Sequence, residues 1–113
     1  MDFPGNVQAR RTLVRLLGKE DRHDEQLEQL EILLAFTPED VRLLSARSEV
    51  LLEMGDLDGA SLALEAAMKL APEDADLTLL LANLQAARGQ EEEGRKTFER
   101  AKALRARQGA SPQ

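Results

Sequence analysis

This 113-residue chain contains no cysteine, tryptophan or tyrosine, and it has only three phenylalanines and one histidine. Without cysteine it forms no disulfide, no thiolate nucleophile and no cysteine-ligated zinc site. Its core must be aliphatic, and an apolar content of 42% is enough for a small one. No apolar run approaches the roughly 18 residues of a transmembrane helix, and the N-terminus has no basic signal region. We therefore expect a soluble, cytoplasmic protein without membrane insertion.

The net charge of −6 argues against nucleic-acid binding, which needs an electropositive surface. Only the last third is net basic, since residues 75–113 carry seven Lys or Arg against five Asp or Glu. Residues 41–74 carry three against seven. Eleven arginines against four lysines, with a single isoleucine, indicate GC-rich coding, which is typical of many bacteria.

A pattern of 34 residues recurs three times along the chain. Prolines repeat at this spacing, and candidate helix N-caps follow each proline by two residues, at Asn6, Asp40 and Asp74. Apolar residues also recur in phase: Leu16, Val50 and Leu84; Leu30, Leu64 and Phe98; Phe36, Leu70 and Leu104. The pattern predicts a lead-in at 1–6, one domain of three repeats (7–40, 41–74 and 75–108) and a flexible tail at 109–113.

The middle repeat carries the clearest motif. The residues that carry it are Leu44, Arg47, Ser48 and Leu51 before the turn at Gly55, and Ala60, Leu64, Ala67 and Pro72 after it. In spacing and residue type this motif resembles the tetratricopeptide repeat. The resemblance implies an all-α fold, a right-handed superhelical solenoid of three antiparallel helix pairs, and a non-catalytic scaffold or adaptor that binds another protein.

The first repeat matches the motif least well. Its turn lacks the glycine that the others have at Gly55 and Gly89, Arg10 stands in an apolar slot, and Gln26 stands in a small one. The apolar residues Ala9, Leu13, Leu16 and Leu17 of its first helix recur at spacings of three and four, which places them on one face opposite a basic one.

The resemblance also implies a concave groove lined by the first helix of each repeat. Residues carried over to its partner-binding slots are Arg11, Arg15, Lys19, Arg42, Glu49, Leu52, Leu79, Asn83 and Ala86, accompanied by Ser45, Glu53, Asp76 and Ala87. We expect Leu52 and Leu79 to anchor an apolar side chain of a partner peptide or helix, unless Leu79 packs between helices. The slots with which some family members clamp a chaperone carboxylate hold Arg11, Arg15, Ala46, Asp76 and Leu80. Since only the first two are basic, that partner is not expected.

An alternative function is self-assembly. Family domains commonly add a helix that covers the last repeat, and residues 109–113 are too short to supply one. Uncovered residues on the last helix would then stack on another copy, and the candidates are Phe98, Ala101 and Leu104.

No catalytic, metal or cofactor site is predicted. His23, the only histidine, falls in a charged turn, where we interpret it as solvated. Asp56 and Asp58 begin like a calcium loop, but the later ligands are missing, so we interpret them as charges at a helix N-terminus.

Overall fold

The computed structural model describes residues 4–109, and side chains from residue 7 onward, as six α-helices with no strand in that range. The helices are α1 (Pro4–Lys19), α2 (His23–Phe36), α3 (Val41–Glu53), α4 (Leu57–Leu70), α5 (Ala75–Ala87) and α6 (Glu91–Gly109). Helices α1 and α2, α3 and α4, and α5 and α6 form pairs, and α2 on α3 and α4 on α5 join each pair to the next. The predicted all-α solenoid of three helix pairs is confirmed.

Aspartates at 34-residue intervals begin two of the helices. Asp40 and Asp74 accept hydrogen bonds from backbone N–H groups two or three residues on, as N-caps do, and Asp56 caps α4 in the same way. The caps predicted at Asp40 and Asp74 are confirmed. The cap predicted at Asn6 is wrong, because α1 begins at Pro4, whose fixed φ suits the first helical turn.

The turn inside each repeat needs one left-handed residue. Gly55 and Gly89 supply it with φ of 86° and 83°, and Asp21 supplies it in the first repeat with φ of 57°. Asp21 lies 34 residues before Gly55, so the three turns are equivalent although only two contain glycine. Aspartate tolerates this region better than most side chains, which explains how the first repeat keeps the turn.

Small residues let the two helices of a repeat approach closely. In the second repeat Ala60 and Ala67 are almost completely buried, and the Ser48 hydroxyl donates a 2.8 Å hydrogen bond to the Ala60 carbonyl. In the third repeat Gly94 replaces the alanine, and a Cβ there would lie 3.3 Å from the carbonyl oxygen of Ala82. The predicted need for small residues at this crossing is confirmed.

The first repeat makes the same crossing with a large polar residue. The Gln26 amide donates a 3.1 Å hydrogen bond to the Val14 carbonyl. The same amide lies over Gly18, where any Cβ would approach it to 2.6 Å. Gly18 therefore leaves the space that Gln26 occupies.

Helix α3 is buried on two sides. Its residues Leu44 and Leu51 pack toward α4, whereas Leu43 and Val50 pack toward α2. The larger core cluster joins α3, α4 and α5 through Leu44, Leu51, Ala60, Leu64, Ala67, Leu77, Leu80 and Leu84. The smaller one joins α2 and α3 through Leu30, Leu33, Leu43 and Val50.

Helix α1 is buried on one side only. Leu17 is buried and Val14 packs on the smaller core cluster, but Ala9 is exposed, Leu13 is 40% exposed and Leu16 is 49% exposed. Of the predicted apolar face, only Leu17 is therefore buried. Among the described helices only α2 runs close along α1, and none lies against the side with Ala9, Leu13 and Leu16.

We predict that Ala60→Leu destabilises the protein by about 1–3 kcal/mol, because the added side chain overpacks the contact between α3 and α4. Urea denaturation of both forms measures the difference. Ala66→Leu is the matched control, since Ala66 lies on the exposed side of the same helix. Equal stability of the Ala60→Leu and Ala66→Leu variants would contradict the packing described.

Candidate functional site

The first helices of the repeats share one lining face. At 34-residue spacing it carries Arg15, Glu49 and Asn83 in equivalent positions, so its character changes from basic through acidic to neutral. Between α3 and α5 this face forms a depression of about 180 Å³. The depression is lined by Arg42, Ser45, Glu49, Asp76, Leu79, Leu80 and Asn83.

Six of the residues predicted to line the groove thus come together: Arg42, Ser45, Glu49, Asp76, Leu79 and Asn83. Leu79 is half-buried and belongs to neither core cluster, so its side chain lines the depression without being part of the core. Leu80, which stands in one of the carboxylate-clamp slots, lines the same wall from the core.

The other predicted residues lie apart from this depression. Leu52 packs partly on the larger core cluster, and Ala86 is exposed near the C-terminal end of α5. Arg15 and Lys19 are exposed on α1 and have no hydrogen-bond or ion-pair partner among the described residues. They are cations available to a ligand.

Two other arginines predicted to bind a partner, Arg11 and Arg42, instead form ion pairs within the chain. Arg11 pairs with Asp40 at 2.8 Å, and Arg42 pairs with Asp74 at 2.5 Å and approaches Asp76 at 3.6 Å. Both aspartates are N-caps, so each arginine links the first helix of one repeat to the first helix of the next. The sequence pattern alone gives no sign of these pairs.

The charge of Asp40 is favoured in the fold. Burial by itself would raise its pKa, but the Arg11 guanidinium and the backbone N–H groups of Leu43 and Arg42 outweigh that effect and lower the pKa. The ionised carboxylate therefore contributes to stability at neutral pH.

Glu49 has the opposite environment. It is exposed by accessible area, but the groove walls crowd it enough that partial burial raises its pKa, and the charges of Glu53 and Asp76 raise it further. Arg42 offsets only part of this effect. No described residue pairs with Glu49, whereas Asp76 is bound by Arg42 and by Arg105 of α6. The groove therefore presents an unpaired anion beside Leu79.

His23 is not a solvated turn residue, as the sequence suggested, but the first residue of α2, and its side chain is only 21% exposed. Its Nε2 lies 3.5 Å from Glu53 and 3.9 Å from Asp21, and its Nδ1 lies 3.2 Å from Gln26. It joins the start of α2 to the end of α3.

The predicted self-association surface is mostly absent. Ala101 and Leu104 are buried, so the expectation that they are uncovered is wrong, because α5 covers this side of α6. Phe98 alone is exposed, at 42%.

A larger depression, of about 390 Å³, lies between α4 and α5 and was not predicted. It is lined by Ser61, Leu64, Glu65, Met68, Lys69, Leu81 and Leu84. One repeat earlier Arg47 pairs with Glu31 at 3.3 Å, whereas the equivalent residues here are Leu81 and an unpaired Glu65. The replacement of Arg47 by Leu81 in the repeat pattern is the sequence feature that could have predicted this depression.

Within residues 4–109, no group of three His, Cys, Asp or Glu side chains is arranged to hold a metal ion. None of the helices in this range combines the length and apolarity needed to cross a bilayer.

Comparison with known proteins bears on what such a groove does. The sequence profile of the tetratricopeptide repeat family matches residues 51–110. No curated protein has a matching sequence.

Several solved structures share the fold. A MamA mutant superposes with a TM-score of 0.75 at 21% identity, over 92% of this chain and 76% of its own. A double mutant of MamA RS-1 gives 0.80 at 19% identity, over 96% and 61%. The Sgt2 TPR domain from Aspergillus fumigatus gives 0.80 at 12% identity, over 92% and 68%. The chain spans about 60% of some of these structures, and the likeness establishes the fold.

We predict that Asp40→Asn lowers stability at pH 7 by about 1 kcal/mol or less, because asparagine keeps the cap but loses the Arg11 ion pair. Since folding lowers the Asp40 pKa, its contribution is present above the unfolded value of about 4 and is lost as the pH falls through the folded value. The stabilities of the wild type and of Asp40→Asn should therefore converge at low pH, and urea denaturation at several pH values measures their difference.

Asp56→Asn is the matched control, because Asp56 caps α4 without any ion pair among the described residues. We expect its effect to change less with pH. A constant difference between the wild type and Asp40→Asn from pH 7 to pH 2.5 would contradict the role given to Arg11.

Proposed function

Because this chain belongs to the tetratricopeptide repeat family, we propose that it is a non-catalytic scaffold or adaptor that binds a partner's peptide or helix in the groove lined by α1, α3 and α5. Proteins of this family are generally protein-interaction modules without catalytic activity. The observation that carries the proposal is the meeting of Glu49, Leu79 and Asn83 in one depression.

These three side chains offer complementary interactions. Glu49 is an unpaired anion in a partly desolvated position, so it favours a Lys or Arg of the partner. Leu79 offers apolar contact, and the Asn83 amide both donates and accepts hydrogen bonds to a peptide backbone. A basic and aliphatic segment fits this part of the groove.

The α1 end of the groove has the opposite charge. Arg15 stands one repeat before Glu49 and is free of any described partner. Acidic residues of the same partner would lie beside Arg15 and Lys19. A partner with an acidic and a basic end would therefore bind in one direction only, since the reverse direction places like charges together.

Self-assembly is the alternative function. The observation that favours it is the exposed Phe98 on the outer side of α6. Lys102 Nζ lies 5.4 Å from the centroid of that ring, so a cation covers part of the apolar surface. With Ala101 and Leu104 buried, this side offers less to a partner than the groove does.

We expect the wild type to capture a distinct protein from the native cell extract, and the Leu79→Glu, Arg15→Glu double mutant to lose it. The substitutions remove the apolar contact and reverse the charge at the α1 end. A matched double mutant, Leu62→Glu with Lys96→Glu, changes one exposed leucine and one unpaired lysine outside the groove and should retain the partner.

Retention of the partner by the groove double mutant would contradict the proposal. Recovery of the protein itself alone, equally by all forms, would favour self-assembly. Circular dichroism of each variant establishes that it is folded before it is compared.

We also expect Glu49→Gln to weaken binding of the captured partner severalfold, because a carboxylate is replaced by a neutral amide. Wild-type binding should weaken as the pH falls through the raised pKa of Glu49, since protonation removes the charge that attracts the partner's cation. Titration calorimetry between pH 7.5 and pH 4.5 follows both effects.

Glu28→Gln, on the exposed side of α2, is the control and should bind as the wild type does. Equal affinity of the wild type and Glu49→Gln at pH 7.5 would exclude Glu49 from the contact.

A further inference from the structure

The exposed apolar stripe of α1 has a counterpart in each later repeat. Ala9, Leu13 and Leu16 lie 34 residues before Leu43, Arg47 and Val50 of α3. Leu43 and Val50 are each 4% exposed because they pack on Leu30 and Leu33 of α2. In α5 the same positions hold Leu77, Leu81 and Leu84, and these pack toward α4.

The fold therefore shows twice what covers this face. In both cases it is the second helix of the preceding repeat, which presents aliphatic residues at spacings of three and four. Helix α4 does so with Leu64 and Met68, which line one depression with Leu81 and Leu84 of α5. The face on α1 has the same residue types and is open.

None of the six described helices covers this face of α1, so its occupant is a further helix.

Charge restricts the choice of occupant. Helix α1 contains four basic residues and no acidic one between Pro4 and Lys19. Lys19 is equivalent to Glu53 of α3, and Glu53 lies 3.5 Å from His23, the first residue of the helix packed on α3. A helix docked on α1 in the same way would begin beside Lys19.

We propose that the Ala9, Leu13 and Leu16 face of α1 is a docking site for an amphipathic helix of a partner protein, with aliphatic residues facing the stripe and an acidic residue in its first turn beside Lys19. Such an acid also suits the positive end of its own helix dipole. The helix completes the solenoid in the position that α2 holds against α3.

A second copy of this chain fits the site less well. The helix that it would offer by continuing the array is α6, whose first residue Glu91 is equivalent to His23 and would suit Lys19. However, the α6 residues equivalent to Leu27, Leu30 and Leu34 of α2 are Arg95, Phe98 and Lys102. These would bring two cations to a helix that is already basic.

The chain supplies its own probe. A peptide of residues 22–39 contains α2, which packs in this manner on α3. Glu31→Ala in the peptide removes the acid that pairs with Arg47, because Leu13 stands in that position on α1. Two versions carry His23→Glu and His23→Lys, and the intact protein is titrated with each, by fluorescence anisotropy of a labelled peptide.

We expect the His23→Glu peptide to bind severalfold more tightly than the His23→Lys peptide, and Lys19→Glu in the protein to reverse that order. Leu16→Glu, and separately Leu13→Glu, should weaken binding at least tenfold. Both leucines are exposed, so the variants should fold, and thermal unfolding checks this. Leu62→Glu, at an exposed leucine of α4, is the matched control and should leave binding unchanged.

The proposal would be overturned if neither peptide bound the protein. It would also be overturned if Leu16→Glu and Leu13→Glu left peptide binding unchanged. The latter result indicates exchange with the resident α2. Loss of binding in Leu79→Glu alone would place the peptide in the groove and count equally against the α1 site. A wild-type dimer that Leu16→Glu dissociates would make a second copy the occupant instead.

Discussion

The fold depends on one packing requirement: the first helix of a repeat has two apolar sides, and each needs a different neighbour. Helix α3 meets this requirement, since Leu44 and Leu51 face α4 while Leu43 and Val50 face α2. Small residues such as Ala60 let the helices of a repeat approach, and the aliphatic sides between repeats then carry the array forward. Because each repeat contacts only its neighbours, the ends of the array are the places where the requirement can fail.

A second link between repeats is polar and shapes the groove. Asp40 caps α3 and binds Arg11 of the preceding repeat, and Asp74 caps α5 and binds Arg42. Each pair neutralises a cation that the groove would otherwise present. The groove charges without such partners are Glu49 in the middle and Arg15 and Lys19 at one end. Cap formation thus decides which groove residues remain unpaired.

Much of the fold follows from the sequence, because the 34-residue period, the caps at Asp40 and Asp74 and the small Ala60 are local features. For the groove, the sequence predicts which positions line it but not which of their side chains are paired within the chain. Arg11 and Arg42 reach aspartates 29 and 32 residues away, and neither separation is the repeat period. The orientation of α1 was also not predictable. An apolar stripe shows that a face is suited to burial, but it does not show whether a neighbour is present.

The two ends of the array differ in the residues on their outer sides. At the α6 end, positions that are leucine in α2 have become Arg95 and Lys102, so the outer side is largely polar and Phe98 lies beneath a cation. At the α1 end, Leu13 and Leu16 keep the character of a buried interface although they are exposed. A terminal repeat that met only solvent would be expected to have a polar outer face. The α6 end fits that expectation and the α1 end does not, which is why the asymmetry points to a helix docked on α1.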